Sequence, residues 1–211
     1  MEKILCFLTF AGKNSHLLYM IKLAIFASGS GTNAQRITEY FREHSSPITV
    51  DLILSNNPDA GVLERARNLG VSCVTFSRKE FYESARIPEL LKEHAIEYLI
   101  LAGFLWLVPD SLLKAFPGRI LNIHPALLPG YGGKGMYGMK VHETVISNHD
   151  KESGISIHLV NEHYDEGQIL FQAKCSIEET DTPGSLAAKI HELEYRHFPE
   201  VIEKYILFNR K

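Results

Sequence analysis

Strand-like apolar runs alternate with amphipathic segments along this chain, and that alternation constrains the fold more than any other feature. Parallel strands cannot be joined by tight turns, so each pair needs a crossover, usually a helix. The apolar runs predict strands over Ile21 to Ala27, Val50 to Ser55, Val71 to Phe76, Tyr98 to Ala102 and Ile120 to His124. Between them a helix is expected from about Ala34, another over Asp59 to Leu69 stopped by Gly70, and a third over Lys79 to His94 that Pro88 kinks or divides. After Pro125 the texture changes. Leu128 to Gly138 holds Gly130, Gly132, Gly133, Gly135 and Gly138, the composition of a mobile loop or of backbone that must approach something closely. A helix over Met139 to Asn148 follows, then strands over Gly154 to Val160 and Ile169 to Ser176 around a polar turn. Thr182-Pro183 opens a last helix that runs to about Phe208, with a hydroxyl N-cap and proline in the first position. The pattern is that of one α/β domain, a mostly parallel twisted sheet with helices on both faces, without internal repeats or a second domain.

The 211 residues suffice for one substantial core. A hydrophobic fraction of 45% and a net charge of −3 fit a soluble protein with no global attraction to nucleic acid or anionic membrane. Cys6, Cys73 and Cys175 are odd in number and widely spaced, which argues against a disulfide framework and points to a reducing, cytoplasmic setting. Ile4 to Ala11 is too short to span a bilayer. Residues 1–19 read as an N-terminal extension ahead of a domain over 20–211, with Met20 a plausible physiological start.

Several groups of residues carry chemistry. Ser28-Gly29-Ser30-Gly31-Thr32-Asn33 follows a strand and opens a helix, so free N–H groups and the positive end of a helix dipole meet at one spot suited to a phosphate. It is neither a Walker A loop nor a complete Gly-x-Gly-x-x-Gly, and a tight turn without ligand is its alternative. Asn122 and His124 share a face at the carboxyl end of a strand that Pro125 terminates, where open α/β sheets place their active sites. A satisfied structural pair is the competing interpretation. Ser156 and His158 also share a strand face, Asp165 sits in a polar turn, and His191 and Glu194 lie three apart on one helix face. Taken singly, these are ordinary half-exposed or surface positions. Leu105-Trp106-Leu107-Val108 could be core, yet it follows the end of a strand where a flat aromatic ligand could lie. There is no His-Glu-x-x-His or Cys-x-x-Cys pattern, so no metal is expected.

In order and spacing, Ala27 to Asn33, Leu63-Glu64-Arg65-Ala66, Leu101-Ala102-Gly103-Phe104, Asn122 to Pro129, Gly154 to His158 and Asp165-Glu166-Gly167 resemble the folate-dependent formyltransferases, and among them the phosphoribosylglycinamide formyltransferases of purine synthesis. The likeness runs from about Ile21 to Tyr205. It implies a Rossmann-like three-layer formyltransferase fold. It implies as substrates glycinamide ribonucleotide and 10-formyltetrahydrofolate, with no metal and with a monomer or homodimer as the working form. Asn122, His124 and Asp165 would be catalytic. Gly31, Thr32 and Asn33 would hold the acceptor phosphate, and Glu194, with His191 nearby, its ribose. Leu105 to Val108 and Asn161, Glu162, His163, Tyr164 and Asp165 would wrap the pterin. Arg78 falls near a folate-contacting arginine of the family, Asn122 also meets the folate, and Ser156 and His158 would support Asp165 and the loop. The stretch Gly130 to Gly138 departs from the family by being longer and richer in glycine. The family alternatives are methionyl-tRNA formyltransferase, a sugar-nucleotide formyltransferase or formyltetrahydrofolate hydrolase. A non-catalytic nucleotide-binding protein would need the phosphate loop without the Asn, His and Asp set.

Overall fold

The structure, a computed structural model, describes residues 19–210. The extension read over residues 1–19 therefore lies, apart from Tyr19, outside the described residues. Seven strands form one sheet: β1 (Ile21–Phe26), β2 (Ile48–Ser55), β3 (Ser72–Thr75), β4 (Tyr98–Leu101), β5 (Ile120–His124), β6 (Glu152–Leu159) and β7 (Ile169–Ser176). Their order is β3-β2-β1-β4-β5-β6-β7. The first five are parallel, whereas β6 runs antiparallel to β5 and β7 antiparallel to β6. The chain steps outward from β1 to β3, then returns to lay β4 on the other side of β1. That reversal opens a crevice between the loops leaving β1 and β4.

Among the described residues seven helices cover the sheet: α1 (Thr32–Glu43), α2 (Gly61–Asn68), α3 (Arg78–Tyr82), α4 (Arg86–Glu93), α5 (Asp110–Ala115), α6 (Met139–Ser147) and α7 (Pro183–Asn209). Period-two alternation in the strands divides the core. Leu23 and Ile25 of β1 pack with Ile37 of α1, Val62 of α2, Val141 of α6 and Ile190 of α7. Ala24 and Phe26 face the other way, against Phe81 of α3, Leu91 of α4 and Leu112 of α5. The result is the three-layer arrangement expected from the sequence.

Two local expectations change. The helix expected over Lys79 to His94 is two helices, α3 and α4, parted at Glu83 to Ala85. Pro88 is not the divider; it is the third residue of α4, where its missing N–H would have had no intrahelical acceptor. The stretch from Leu105 to Arg119 holds a helix, α5, absent from the sequence reading. Its start signal was present in Pro109 followed by Asp110, but six residues are too few for a periodic pattern.

Candidate active site

A cavity of about 660 Å³ opens at the carboxyl ends of β1, β4 and β5. Its walls include residues 28–33 after β1, residues 102–105 after β4, residues 122–125 of β5 and beyond, residues 133–139, Tyr164 and Asp165, and His191 and Glu194 of α7. Elements more than 160 residues apart in sequence thus meet, as in the hydrogen bond from Asn33 Nδ2 to Glu194 Oε2 at 2.9 Å.

The first wall is backbone. Gly31 is the N-cap of α1 with φ of 77°, a left-handed conformation open to glycine. A Cβ there would lie 2.4 Å from Val62 Cγ2, so no other residue fits without moving α2. No side chain caps this helix, and the residues that carry its first N–H groups line the cavity. Glu194 is 6% exposed; burial pushes its carboxyl above the ordinary range, opposed by the Asn33 bond and by His191. A buried acid beside a helix N-terminus is poised to accept hydrogen bonds from neutral donors such as ribose hydroxyls.

The second wall is side chains. Antiparallel register sets Asn122 opposite His158 and His124 opposite Ser156, so four polar residues share one face of the β5–β6 pair. Ile120, on that face of β5, is still in the core. Beyond it the face is roofed by loop rather than helix. Ser156 Oγ fastens the roof, donating to Ala126 O at 2.7 Å and accepting from Leu128 N at 2.9 Å and Gln172 Nε2 at 2.8 Å. Asp165 reaches into this face from the turn after β6 with φ of 59°, a strained conformation for a residue with a side chain. Its Oδ2 accepts from Gly133 N at 2.9 Å and lies 3.5 Å from His124 Nδ1; its Oδ1 lies 3.6 Å from His158 Nε2 and 3.5 Å from Asn122 Nδ2.

Carbonyl acceptors fix the tautomers. His158 Nδ1–H donates to Leu159 O at 2.8 Å, which leaves Nε2 to accept from Asn122 Nδ2 at 3.0 Å. His124 Nε2–H donates to Tyr131 O at 2.8 Å, so in the neutral ring Nδ1 is bare and faces Asp165. Burial holds the His124 imidazole below its ordinary range, while Asp165 and the Tyr131 carbonyl pull the other way. A cationic His124 is therefore disfavoured by the protein's own interior and favoured by its carboxylate partner. For Asp165, burial acts upward, but His158, His124 and the Gly133 N–H outweigh it and keep the carboxyl ionised.

The residues assigned to the pterin divide. Leu105, Tyr164, Asp165 and Asn122 line the cavity. Trp106 packs in an aromatic cluster with Phe76 and Phe81, and Arg78 stacks 5.5 Å above its ring and 4.9 Å above Tyr82. The Tyr82 hydroxyl donates to Leu107 O, and Val108 is buried in the core, so these positions brace the segment. Asn161 accepts from His163 N within its own turn, and Glu162 and His163 are exposed. Sequence reasoning missed His142, which lines the cavity from α6 and is 3% exposed. Burial, then His191 and His124, lowers its pKa to about 4. A histidine between Val141 and Val145 on a buried helix face carried no sequence signal beyond core. Among the described residues no cluster of His, Cys, Asp or Glu could hold a metal ion, and no helix is long and apolar enough to cross a membrane.

Known proteins resemble the chain in sequence and in fold. The sequence profile of the formyl transferase family matches residues 21–202. A phosphoribosylglycinamide formyltransferase of Arabidopsis thaliana, designated chloroplastic, is 40% identical over 90% of this chain, which spans 66% of that relative, just under two thirds of its length. One of Bacillus subtilis is 35% identical over 91% of this chain and 98% of its own length. The crystal structure of phosphoribosylglycinamide formyltransferase from Bacillus halodurans superposes with a TM-score of 0.79 at 37% identity, covering 88% of this chain and 95% of that one. With an α/β sheet of matching architecture and an Asn, His and Asp set converging beside the β1 loop, the chain belongs to the formyl transferase family.

Proposed function

We propose that this protein transfers the formyl group of 10-formyltetrahydrofolate to the amine of glycinamide ribonucleotide, as a phosphoribosylglycinamide formyltransferase of purine synthesis. The observation that carries the reading is the convergence of Asn122, His124 and Asp165 on one wall of a cavity whose other wall is an N–H-lined helix start. The similar proteins bear that name along nearly the whole of the present chain.

The residues account for the chemistry. The acceptor amine forms a bond to the formyl carbon, and negative charge collects on the formyl oxygen. Asn122 Nδ2 holds its bond to His158 and has a second N–H, only loosely engaged at 3.5 Å from Asp165, to donate to that oxygen. His124 supplies a second donor only once protonated at Nδ1, the atom left bare in the neutral ring and 3.5 Å from Asp165, and the growing negative charge favours that imidazolium just as Asp165 does. Asp165 holds the ring and orients a water that carries the amine proton to the folate nitrogen as the old carbon–nitrogen bond breaks. Formylglycinamide ribonucleotide and tetrahydrofolate leave. Gly31, Thr32, Asn33, His191 and Glu194 bind the acceptor, and Leu105, Tyr164 and the segment braced by Arg78 and Trp106 receive the folate. All these groups come from one chain, so a single copy contains the site, as monomer or within a homodimer. Half-buried free thiols at Cys73 and Cys175 suit a reducing, cytoplasmic setting.

The test is an assay with both substrates that follows tetrahydrofolate and formylated product together. The expected result is stoichiometric appearance of both. Tetrahydrofolate released at the same rate without acceptor would instead identify a hydrolase, and no product with this acceptor would overturn the reading.

A further inference from the structure

The segment Leu63-Glu64-Arg65-Ala66 contributes to the family likeness, yet none of its residues touches the cavity. What it does touch is the back of the β1 loop. Gly29, Ser30, Gly31, Thr32 and Asn33 offer five consecutive backbone N–H groups that have no protein acceptor among the described residues. The carbonyls before the first four of them are all engaged. Ser28 O accepts from Asn57 Nδ2 at 3.5 Å, Gly29 O from Val62 N at 3.1 Å, Ser30 O from Arg65 Nε at 2.9 Å and Gly31 O from Gln35 N at 3.0 Å. In a planar trans peptide the C=O and the next N–H point in opposite directions. Fixing the Ser30 carbonyl rearward therefore aims the Gly31 N–H forward, and the other three bonds do the same for Gly29, Ser30 and Thr32. The loop becomes a concave row of donors, a geometry that binds anions.

We infer that Arg65 is a positioning residue for the acceptor's phosphate, holding the Ser30–Gly31 peptide so that its N–H faces the anion. The inference rests on the acceptor reading proposed above. Of the four clamps, two are backbone N–H groups and the Asn57 bond is long, which leaves Arg65 as the side chain with a well-formed bond. It is also the charged one. Its second arm donates to Gln35 Oε1, tying the loop to the first turn of α1. The guanidinium thus stands behind the anion site, where its charge adds to the helix dipole without meeting the ligand.

The experiment compares Arg65→Ala, Arg65→Lys and Arg67→Ala in steady state, varying each substrate in turn, with inorganic phosphate as a competitive probe against glycinamide ribonucleotide. Arg67 is exposed on the same helix and removes the same charge. A charge-assisted hydrogen bond lost from a site corresponds to about tenfold or more in affinity. The expected result for Arg65→Ala is a KM for the ribonucleotide and a phosphate inhibition constant both raised about tenfold. Saturated kcat and the KM for 10-formyltetrahydrofolate should stay near wild type. Arg65→Lys, which can reach one carbonyl but not also Gln35, should recover part of the loss, and Arg67→Ala none of it should show. Unchanged constants in Arg65→Ala, or a uniform fall in kcat and both substrates' KM values that marks general damage, would overturn the inference. Should Arg65→Ala not fold, an Arg65→Lys enzyme with wild-type phosphate inhibition would overturn it equally. Failure of the wild-type enzyme to formylate this acceptor would instead refute the functional reading.

Discussion

On the β1 side the cavity is lined by peptide N–H groups held from behind by α2, and on the β5–β6 side by side chains held by one another. The first wall does not titrate, and its polarity is set by peptide planes. The second depends on the protonation of His124 and Asp165, on the tautomer of His158 and on a loop roof pinned by Ser156. The difference suits the two tasks proposed for these walls. A phosphate carries the same charge before and after reaction, so a rigid set of donors serves it throughout. A formyl oxygen gains charge only on the way to the transition state, so its donors must respond to that change.

The comparison breaks most readily at His124. Replacing it with alanine should lower kcat by about 10²–10³ while leaving the KM for the ribonucleotide within a few-fold, and Asp165→Asn should follow the same pattern. A loss expressed in that KM instead would erase the distinction between the walls. Next comes His142, between the two. Its pKa falls from an ordinary value near 6.5 to about 4 in the folded protein, so the unfolded chain binds the extra proton first. The stability it contributes is complete above pH 6.5 and is lost as pH falls toward 4, by roughly 3 kcal/mol. Chemical denaturation at pH 7 and at pH 4 should show His142→Phe losing less over that interval than wild type. Smaller still is Ser156→Ala, which strands the Leu128 N–H and should cost about 1–3 kcal/mol in urea unfolding, with reduced kcat as the roof loosens. The smallest effect is at Glu194. Its raised pKa means that ionisation works against the fold, so Glu194→Gln should raise the thermal unfolding midpoint slightly and yet raise the KM for the ribonucleotide.

Much of this molecule was legible in advance where local rules suffice. The strand runs Ile120–His124 and Ile169–Ser176 coincide with the sequence reading because apolar runs with breakers at their ends are local signals. The pairing of Asn122 with His124 on one face follows from the strand period alone. The place of the break between α3 and α4 and the short helix α5 were missed, because five to eight residues carry too little periodicity. His142 drew no reading, Glu194 taken without the family resemblance read as helix surface, and Arg65 was a motif without a task. Each of those roles depends on contacts made across long sequence distances, such as Asn33 with Glu194 or Arg65 with Ser30.

By itself the sequence determined the alternation that demands a parallel sheet, the glycine turn after its first strand, and the kinds of groups available for acyl transfer. The tertiary structure alone decided which of them meet. It set the 165 carboxylate against the 124 imidazole, sank the Glu194 carboxyl below the surface, and turned the carbonyls of the β1 loop away from the cavity. The physical reason is that side-chain type and strand or helix period are properties of neighbours along the chain. Burial, field and the direction of a peptide are set by whatever the fold packs against them.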